Sequence, residues 1–152
     1  MEKLLAQIQQ LEKLLPENEK INPAVSKGSM GWHMEHTLLV INAIISTLKK
    51  SDPKDYKWRF EPKRMILFTF KRIFRGSVQA PEIVVPAKNF DLESLQKHIR
   101  ITKAQIKTLE NAKPNQHFQH PFLGVMNLEQ TIKFLAIHTN HHIKIMKDIL
   151  AK

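Results

Sequence analysis

Apolar residues recur every three or four positions along four stretches of the chain, which are separated by segments rich in polar residues and proline. Such a period buries one face of a helix and leaves the other in water, so each stretch predicts an amphipathic helix. In the first stretch, for example, Leu4, Ile8 and Leu11 share one face. The four predicted helices cover residues 2–15, about 30–49, about 91–111, and 127 to the end of the chain.

Proline and capping residues set the limits of these helices. Pro16 stops the first helix and Pro114 closes the third, because proline lacks the amide donor that a helix interior needs. Asp91 is the expected N-cap of the third helix. Asn127 is the expected N-cap of the fourth, with Gln130 three residues later as its capping-box partner.

The long segment between the second and third helices decides the predicted topology. Residues 51–90 contain Gly76, Pro81 and Pro86 and lack a regular helical period, so we expect a connection and not a helix of the core. Short connections join antiparallel neighbours, whereas about forty residues can return along the length of a bundle. The sequence therefore predicts an all-α, four-helix bundle in up-down-down-up order. A long crossover joins helices two and three, and residues 1–152 form a single domain.

The composition restricts the possible chemistry of the protein more than it restricts the fold. Of the 152 residues, 42% are hydrophobic, and no apolar run reaches the length of about eighteen residues that a membrane span needs. The N-terminal residues also lack the long apolar middle of a secretory signal, so we expect a soluble cytoplasmic protein. The sequence contains no cysteine. Any transition metal must therefore be held by nitrogen and oxygen.

The formal net charge of +10 raises the question of polyanion binding. Cations concentrate in "KWRFEPKRMILFTFKRIFR", residues 57–75, where they alternate with aromatic residues. Such a segment can contact phosphates and stacked bases, or an anionic membrane. A crossover that packs its aromatic rings on the bundle and leaves its cations in water explains the same pattern. We favour this second explanation, and we expect neither nucleic acid nor a membrane as the partner.

Three histidines occur in "HTNHH", residues 138–142, on the last predicted helix. His138 lies on the apolar stripe of that helix, and His142 lies beside it one turn later. His141 is rotated by about 100 degrees and is expected at the solvent-facing rim. On the second helix, "GWHMEH" supplies His33 and His36, and His36 continues an inward-facing row.

Two histidines at positions i and i+4, with a third from a facing helix, suit a divalent metal that keeps an open coordination position. Each histidine taken singly is explained equally well by a hydrogen bond to a backbone carbonyl. Three buried imidazoles without a metal would each need a polar partner, because an unmet buried polar group costs about 1 to 3 kcal/mol. The cluster therefore favours a metal.

Two stretches resemble the DinB/YfiT-like superfamily of metal-dependent bacterial proteins. The stretches are "GWHMEHTLLVINAI" and "HPFLGVMNLEQTIKFLAIHTNHHIKIM". The second is the more specific, because it combines the His-Pro and Leu-Gly turn at His120, Pro121 and Gly124 with the pair His138 and His142. The layout of the chain, including the long crossover, is also similar to that of the family.

The resemblance implies a four-helix bundle with a nickel, zinc or manganese site, and a homodimer. It places the metal ligands at His36, His138 and His142, with His33 as the fallback for His36. Some members of the family are thiol-dependent S-transferases and isomerases that use a low-molecular-weight thiol such as bacillithiol or mycothiol. Because this chain has no cysteine, an external thiol would be the source of sulfur.

The function expected from the sequence is thus that of a metal-dependent hydrolase or thiol-dependent S-transferase. A dication lowers the pKa of a bound water or thiol, and such a site should lose its metal below about pH 6, where histidine protonates. We expect His33, His120 and Phe122 to line the pocket, whose mouth is the loop at residues 113–126. For Phe122, plain packing in the core under the loop is the slightly favoured explanation. The candidates for hydrogen-bonding the ligands are Glu35, Asn42, Glu129 and Asn140, and no catalytic residue is assigned.

The alternative function is that of a non-catalytic, dimeric interaction protein. In that case the basic crossover would bind an acidic partner or nucleic acid, and this binding would weaken steeply with salt.

Overall fold

The computed structural model describes residues 1–76, 81–87 and 91–151. This part of the chain is mostly helical, with five α-helices and one antiparallel pair of short strands. Single turns of 3-10 helix occur at Leu15–Glu17, Pro53–Asp55, Glu82–Val84 and Leu109–Asn111. The helices are α1 (Glu2–Lys13), α2 (Met30–Lys50), α3 (Pro62–Phe70), α4 (Leu92–Thr108) and α5 (Leu128–Leu150), and the strands are β1 (His117–His120) and β2 (Gly124–Asn127).

The four helices predicted from the apolar period correspond to α1, α2, α4 and α5, and their caps explain where they begin. Both expected N-caps are confirmed: Asp91 accepts a hydrogen bond from the amide of Ser94, and Asn127 accepts one from the amide of Gln130. Both form capping boxes, which satisfy amides that the first helical turn leaves unpaired. Ser29 caps α2 by accepting from the amide of Trp32.

The four long helices enclose the apolar core. Helices α1 and α2 each contact both α4 and α5. Each long helix contributes side chains that are fully buried, and burial of such side chains is the main favourable term in folding. Examples are Leu4, Ile8 and Leu11 of α1, Met34, Leu38 and Ile41 of α2, Leu95, Ile99 and Ile106 of α4, and Leu135 and Met146 of α5.

Polar contacts between helices give their relative direction. Glu35 near the start of α2 pairs with His98 of α4 at 3.0 Å, and Asn42, two turns later, donates to Thr102 at 2.8 Å. The contacts between α2 and α4 thus advance in the same direction along both helices. Between α2 and α5 they advance in opposite directions, since His33 contacts His142 whereas His36 also reaches back to His138.

The crossover contains a helix that the sequence pattern did not predict. Helix α3 begins at Pro62 after the N-cap Glu61 and ends at Phe70. The C-cap residue Lys71 adopts a left-handed conformation with φ of 51°. Its apolar residues are mostly exposed, and among its residues only Arg64 is buried. The prediction of no core helix here therefore holds, but the segment is not a simple connection.

The predicted loop at residues 113–126 is also more regular than expected. It forms a β-hairpin in which His117 pairs with Asn127 and His120 with Gly124, so the all-α prediction needs this small sheet added. Gly124 has a φ of 67°, which is costly for other residues. The guanidinium of Arg64 donates to the carbonyls of Leu123 and Val125 and thereby joins α3 to the hairpin.

The aromatic rings of the crossover do not pack on the core, contrary to the explanation favoured from the sequence. Trp58 is 63% exposed and Phe70 is 72% exposed, and Phe60 and Phe74 are similarly exposed. Only Phe68 is partly buried against the core. The segment therefore presents aromatic and cationic side chains together to solvent.

Among the helices of the described residues, none has the length and apolar character required to cross a membrane.

Candidate metal centre

Helix α2 contributes two buried imidazoles from its first two turns. Because Ser29 caps the helix, the chain is already helical at His33 and His36, which lie three residues apart and therefore share one face. Both side chains are only 4% exposed. The indole ring of Trp32 lies parallel to the imidazole of His36, with the ring centroids 5.2 Å apart, and so restricts the orientation of that ring.

Helix α5 contributes His138 and His142, whose ring centroids are 4.7 Å apart across one helical turn. His142 is buried. The residue His138 as a whole is partly exposed, but its Nδ1 is buried and has no hydrogen-bond partner among the described residues. An orphaned buried nitrogen is costly, and a bound cation is one way to remove that cost.

Three of these four histidines come together as predicted from the sequence. One ring nitrogen from each of His36, His138 and His142 lies within 4.8 Å of the other two. Metal–nitrogen bonds of about 2.0 to 2.1 Å require nitrogens that are somewhat closer, which small rotations of the side chains can supply. The donor set, three neutral imidazoles, suits a divalent metal such as zinc or nickel. The residues present therefore fit a divalent metal.

Hydrogen bonds fix which nitrogen of His36 is free. Its Nδ1 lies 2.8 Å from the carbonyl oxygen of Val84, in the crossover. A carbonyl only accepts, so Nδ1 carries the proton and Nε2 keeps its lone pair for a ligand. Metal-binding histidines commonly donate their second nitrogen to a carbonyl in this way.

His33 plays a similar part for His142. The two Nδ1 atoms lie 3.0 Å apart, so one of them must donate and the other accept. The Nε2 of His33 lies 2.9 Å from the hydroxyl of Ser26, which also accepts from the amide of Gly28. If His33 donates to Ser26, its Nδ1 accepts from His142, and the Nε2 of His142 is then left free for a metal.

Burial keeps the imidazoles of the cluster neutral. Desolvation is the largest cause in every case, and at His33, His138 and His142 the proximity of other histidines adds to it. The pKa of His33 falls to about 4 and that of His138 to about 3. The pKa of His142 lies well below its usual value, and that of His36 is lowered less because the Val84 carbonyl opposes the shift. All four are therefore unprotonated at neutral pH, the state that binds a metal.

The structure places the remaining predicted residues around this cluster. His120 is half-buried, with its ring centroid 4.9 Å from that of Phe134, and Phe134 in turn contacts His138. Phe122 is 50% exposed, so the expectation that it packs in the core is wrong. His141 is partly exposed, as expected for a rim residue, with its ring edge-on to His142 at 5.1 Å.

Two of the four candidates for hydrogen-bonding these histidines are engaged elsewhere. Glu35 and Asn42 both contact His98 of α4. The groups that hydrogen-bond His36 and His142 are the carbonyl of Val84 and the ring of His33. Every residue has a backbone carbonyl, and the sequence does not show where a carbonyl in an irregular segment points. Val84 could therefore not have been identified from the sequence.

The comparisons with known proteins agree with the geometry. The model of the DinB superfamily matches residues 2–146, which is almost the whole chain. No curated protein and no solved structure matches the chain. The three-histidine cluster and the family match point in the same direction, and the chain belongs to the DinB superfamily.

Proposed function

We propose that the protein binds one divalent metal ion through His36, His138 and His142, and that the metal is zinc, nickel or manganese. The observation that carries the proposal is the convergence of three imidazole nitrogens, from two helices, within 4.8 Å of one another. The buried and unpartnered Nδ1 of His138 supports it, because the described residues leave that nitrogen without a hydrogen bond.

We further propose that the site is that of a metal-dependent hydrolase or of a thiol-dependent S-transferase. A bound dication lowers the pKa of water or of a thiol and so supplies a nucleophile near neutral pH. The protein's own part is to keep three imidazoles neutral and oriented: the Val84 carbonyl holds His36, and His33 holds His142. Because the chain has no cysteine, a low-molecular-weight thiol would bind from solution.

The finer arrangement of the helices is part of the same proposal. We place α1, α2, α4 and α5 in an up-down-down-up bundle, with the crossover returning the chain between α2 and α4. The parallel sequence of contacts from Glu35 and Asn42 to His98 and Thr102 supports this order.

The metal content of purified protein tests the proposal directly. Untagged protein should be purified without metal-affinity columns or chelators. Mass spectrometry should then find about one equivalent of zinc, nickel or manganese, either as purified or after loading. His36→Ala and His138→Ala should lose it. His117→Ala is the matched control, because His117 lies on β1 outside the cluster. If the protein takes up no metal under any loading condition, the proposal fails.

A second function, that of a dimeric interaction protein, is supported by a different observation. Trp58, Phe60 and Phe70 are each more than 60% exposed in a segment rich in cations. Exposed aromatic residues of this kind are typical of interfaces. Light scattering would give the mass of the assembly in solution. A monomer that binds no acidic partner at low salt would remove this candidate.

A further inference from the structure

A cavity of about 500 Å³ lies beside the histidine cluster, between the segment that follows α3 and the outer face of α5. Its volume is in the range of small-molecule sites. One wall is formed by the chain from Lys71 to Arg75, and the other by residues of α5 between Ile137 and Asp148. The left-handed conformation of Lys71 turns the chain at the end of α3, and the segment then continues beside α5.

The cavity and the cluster share one stretch of α5. Ile137 and His141 line the cavity, and each directly precedes a histidine of the cluster. The ring of His141 contacts that of His142 at 5.1 Å between centroids, and it donates a hydrogen bond to the carbonyl of Ile73 on the opposite wall. A molecule held in the cavity therefore lies next to the helical turns that carry two of the three proposed ligands.

The lining is strongly cationic. Lys71, Arg72, Arg75 and Lys144 line the cavity, whereas Asp148 is the only carboxylate among the described lining residues. Asp148 pairs with Arg75, so the charges of the other three are not matched by a carboxylate of the cavity wall. Like charges that converge on one space repel one another, and an anion bound there would relieve this repulsion.

The cations of the cavity act on two histidines that lie next to the proposed ligands. The charge of Arg75 contributes to the lowered pKa of both His33 and His141, although desolvation is the larger cause. The apolar side chains of Ile73 and Ile137 also line the space. The cavity thus offers charge for an anionic group and apolar surface for the body of a small molecule.

We propose that this cavity binds the carboxylate or phosphate group of a small organic anion and so holds that molecule beside the histidine cluster. The assignment of an anion site rests on the cavity alone. Its role as the substrate site rests on the metal function proposed above. The substrate class is then a small anionic molecule, with an apolar portion that contacts Ile73 and Ile137.

Titrations with simple aromatic anions test the inference. Phenyl phosphate and benzoate would be added to 15N-labelled protein, with benzyl alcohol as the uncharged probe, and resonances of residues 137–148 would be followed. We expect the anions to bind and benzyl alcohol not to bind. The preferred anion then tells whether the natural group is a phosphate or a carboxylate.

Matched variants locate the binding. Lys144→Gln and Arg72→Gln should each raise the Kd of the better anion about tenfold, which corresponds to the loss of one charge-assisted contact. Lys107→Gln removes the same charge from the exposed face of α4 and should leave the Kd unchanged. If neither anion binds, or if the two cavity variants bind as the wild type does, the inference is overturned.

Titrations without and with zinc separate this inference from the proposed function. Binding by zinc-free protein tests the cavity alone, and zinc should tighten it severalfold because the opposite charges lie close together. If phenyl phosphate binds but the protein takes up none of zinc, nickel and manganese, the metal function fails and the anion site stands. If zinc binds but Lys144→Gln leaves the Kd of the anion unchanged, the anion is coordinating the metal directly. In that case the anion-site inference fails and the metal function stands.

Discussion

His33 is a buried imidazole that lies against a proposed ligand without belonging to the group of three. Its Nδ1 contacts the Nδ1 of His142, and its Nε2 contacts Ser26, so it can hold His142 in the form whose Nε2 is free. Residues that orient a ligand in this way commonly contribute substantially to metal affinity.

Replacing His33 by phenylalanine keeps a ring of similar size but removes this hydrogen bond. We expect the zinc affinity to fall by about 10- to 100-fold while zinc still binds, because the three ligands remain. Competition with a chromophoric chelator measures the change. Affinity equal to that of the wild type would show that His33 does not orient His142, and complete loss of zinc would make His33 a ligand.

The lowered pKa values predict how stability changes with pH. Above about pH 6.5 the histidines are neutral in both the folded and the unfolded chain, so they add no pH dependence there. As the pH falls below 6.5, the histidines of the unfolded chain become protonated. In the folded protein His33 stays neutral until the pH approaches 4, and His138 stays neutral until it approaches 3. Folding stability is therefore lost in this interval, by roughly 3 kcal/mol for His33 alone.

Urea denaturation of metal-free protein from about pH 7.5 to 5 would measure the first part of this loss, about 2 kcal/mol for His33, before most carboxylates titrate. His33→Phe should show a flatter profile than the wild type. A stability that does not change over this range would mean that the histidines are not buried as described. The same shifts move the expected loss of metal to a lower pH than the value of about 6 expected for unperturbed histidines.

Among individual residues, the grouping of His36, His138 and His142 was predicted because helical spacing orients side chains on α2 and α5, and the resemblance to the DinB/YfiT-like superfamily favoured His36 over His33. It did not predict the partners of these residues. Ser26 and Val84 lie in irregular segments, where no period relates a residue's position to the direction of its side chain or carbonyl. The sequence showed that cations concentrate in residues 57–75. It did not show that the turn at Lys71 places the last of them beside α5.

Among the elements, α3 and the hairpin are joined by hydrogen bonds from the side chain of Arg64. Arg64 is buried, and its guanidinium donates to the carbonyls of Arg59, Leu123 and Val125. Three carbonyls satisfy the buried charge without a carboxylate.

Arg64→Met should therefore destabilise the protein by roughly 2 to 4 kcal/mol, since it removes three hydrogen bonds from a buried side chain and leaves their carbonyls without this donor. Hydrogen exchange should show the loss of protection concentrated in α3 and in the hairpin. Lys63→Met, which removes the same charge from the exposed side of α3, should change stability by less than about 0.5 kcal/mol. Equal effects of the two substitutions would contradict the role assigned to Arg64.

The elements that were predicted well are those with both an apolar period and a cap, such as α4 with Asp91 and α5 with Asn127. Helix α3 was not predicted, because its apolar residues are consecutive in the sequence and do not recur with the amphipathic period of a helix. Most of them are exposed in the structure. Its start was nonetheless signalled by Pro62, a residue favoured at the first helical position. The hairpin was not predicted, because strands of four residues are too short to show an alternation of apolar and polar positions.

For the molecule as a whole, the cluster joins α2, α5 and the crossover, so a metal bound there should stabilise the entire fold. At about a hundredfold excess of free zinc over its Kd, the gain is about 2.7 kcal/mol. For a chain of this length, that corresponds to a rise in Tm of roughly 5 to 10 °C.

His142→Ala should abolish this rise in Tm while leaving the helical circular dichroism largely unchanged, because the core is otherwise apolar. His117→Ala should retain the rise. A zinc-dependent rise in His142→Ala as large as that of the wild type would show that the ion binds elsewhere.

The contact between His33 and His142 joins positions 109 residues apart in the chain. Loop closure over such a distance is entropically costly, so contacts of this kind form only when the helices have docked. The cluster therefore cannot assemble in an isolated helix or hairpin. During refolding, metal uptake should follow the slow formation of long-range contacts and lag behind the fast appearance of helical signal, so that the ion acts as a kinetic reporter of the native state.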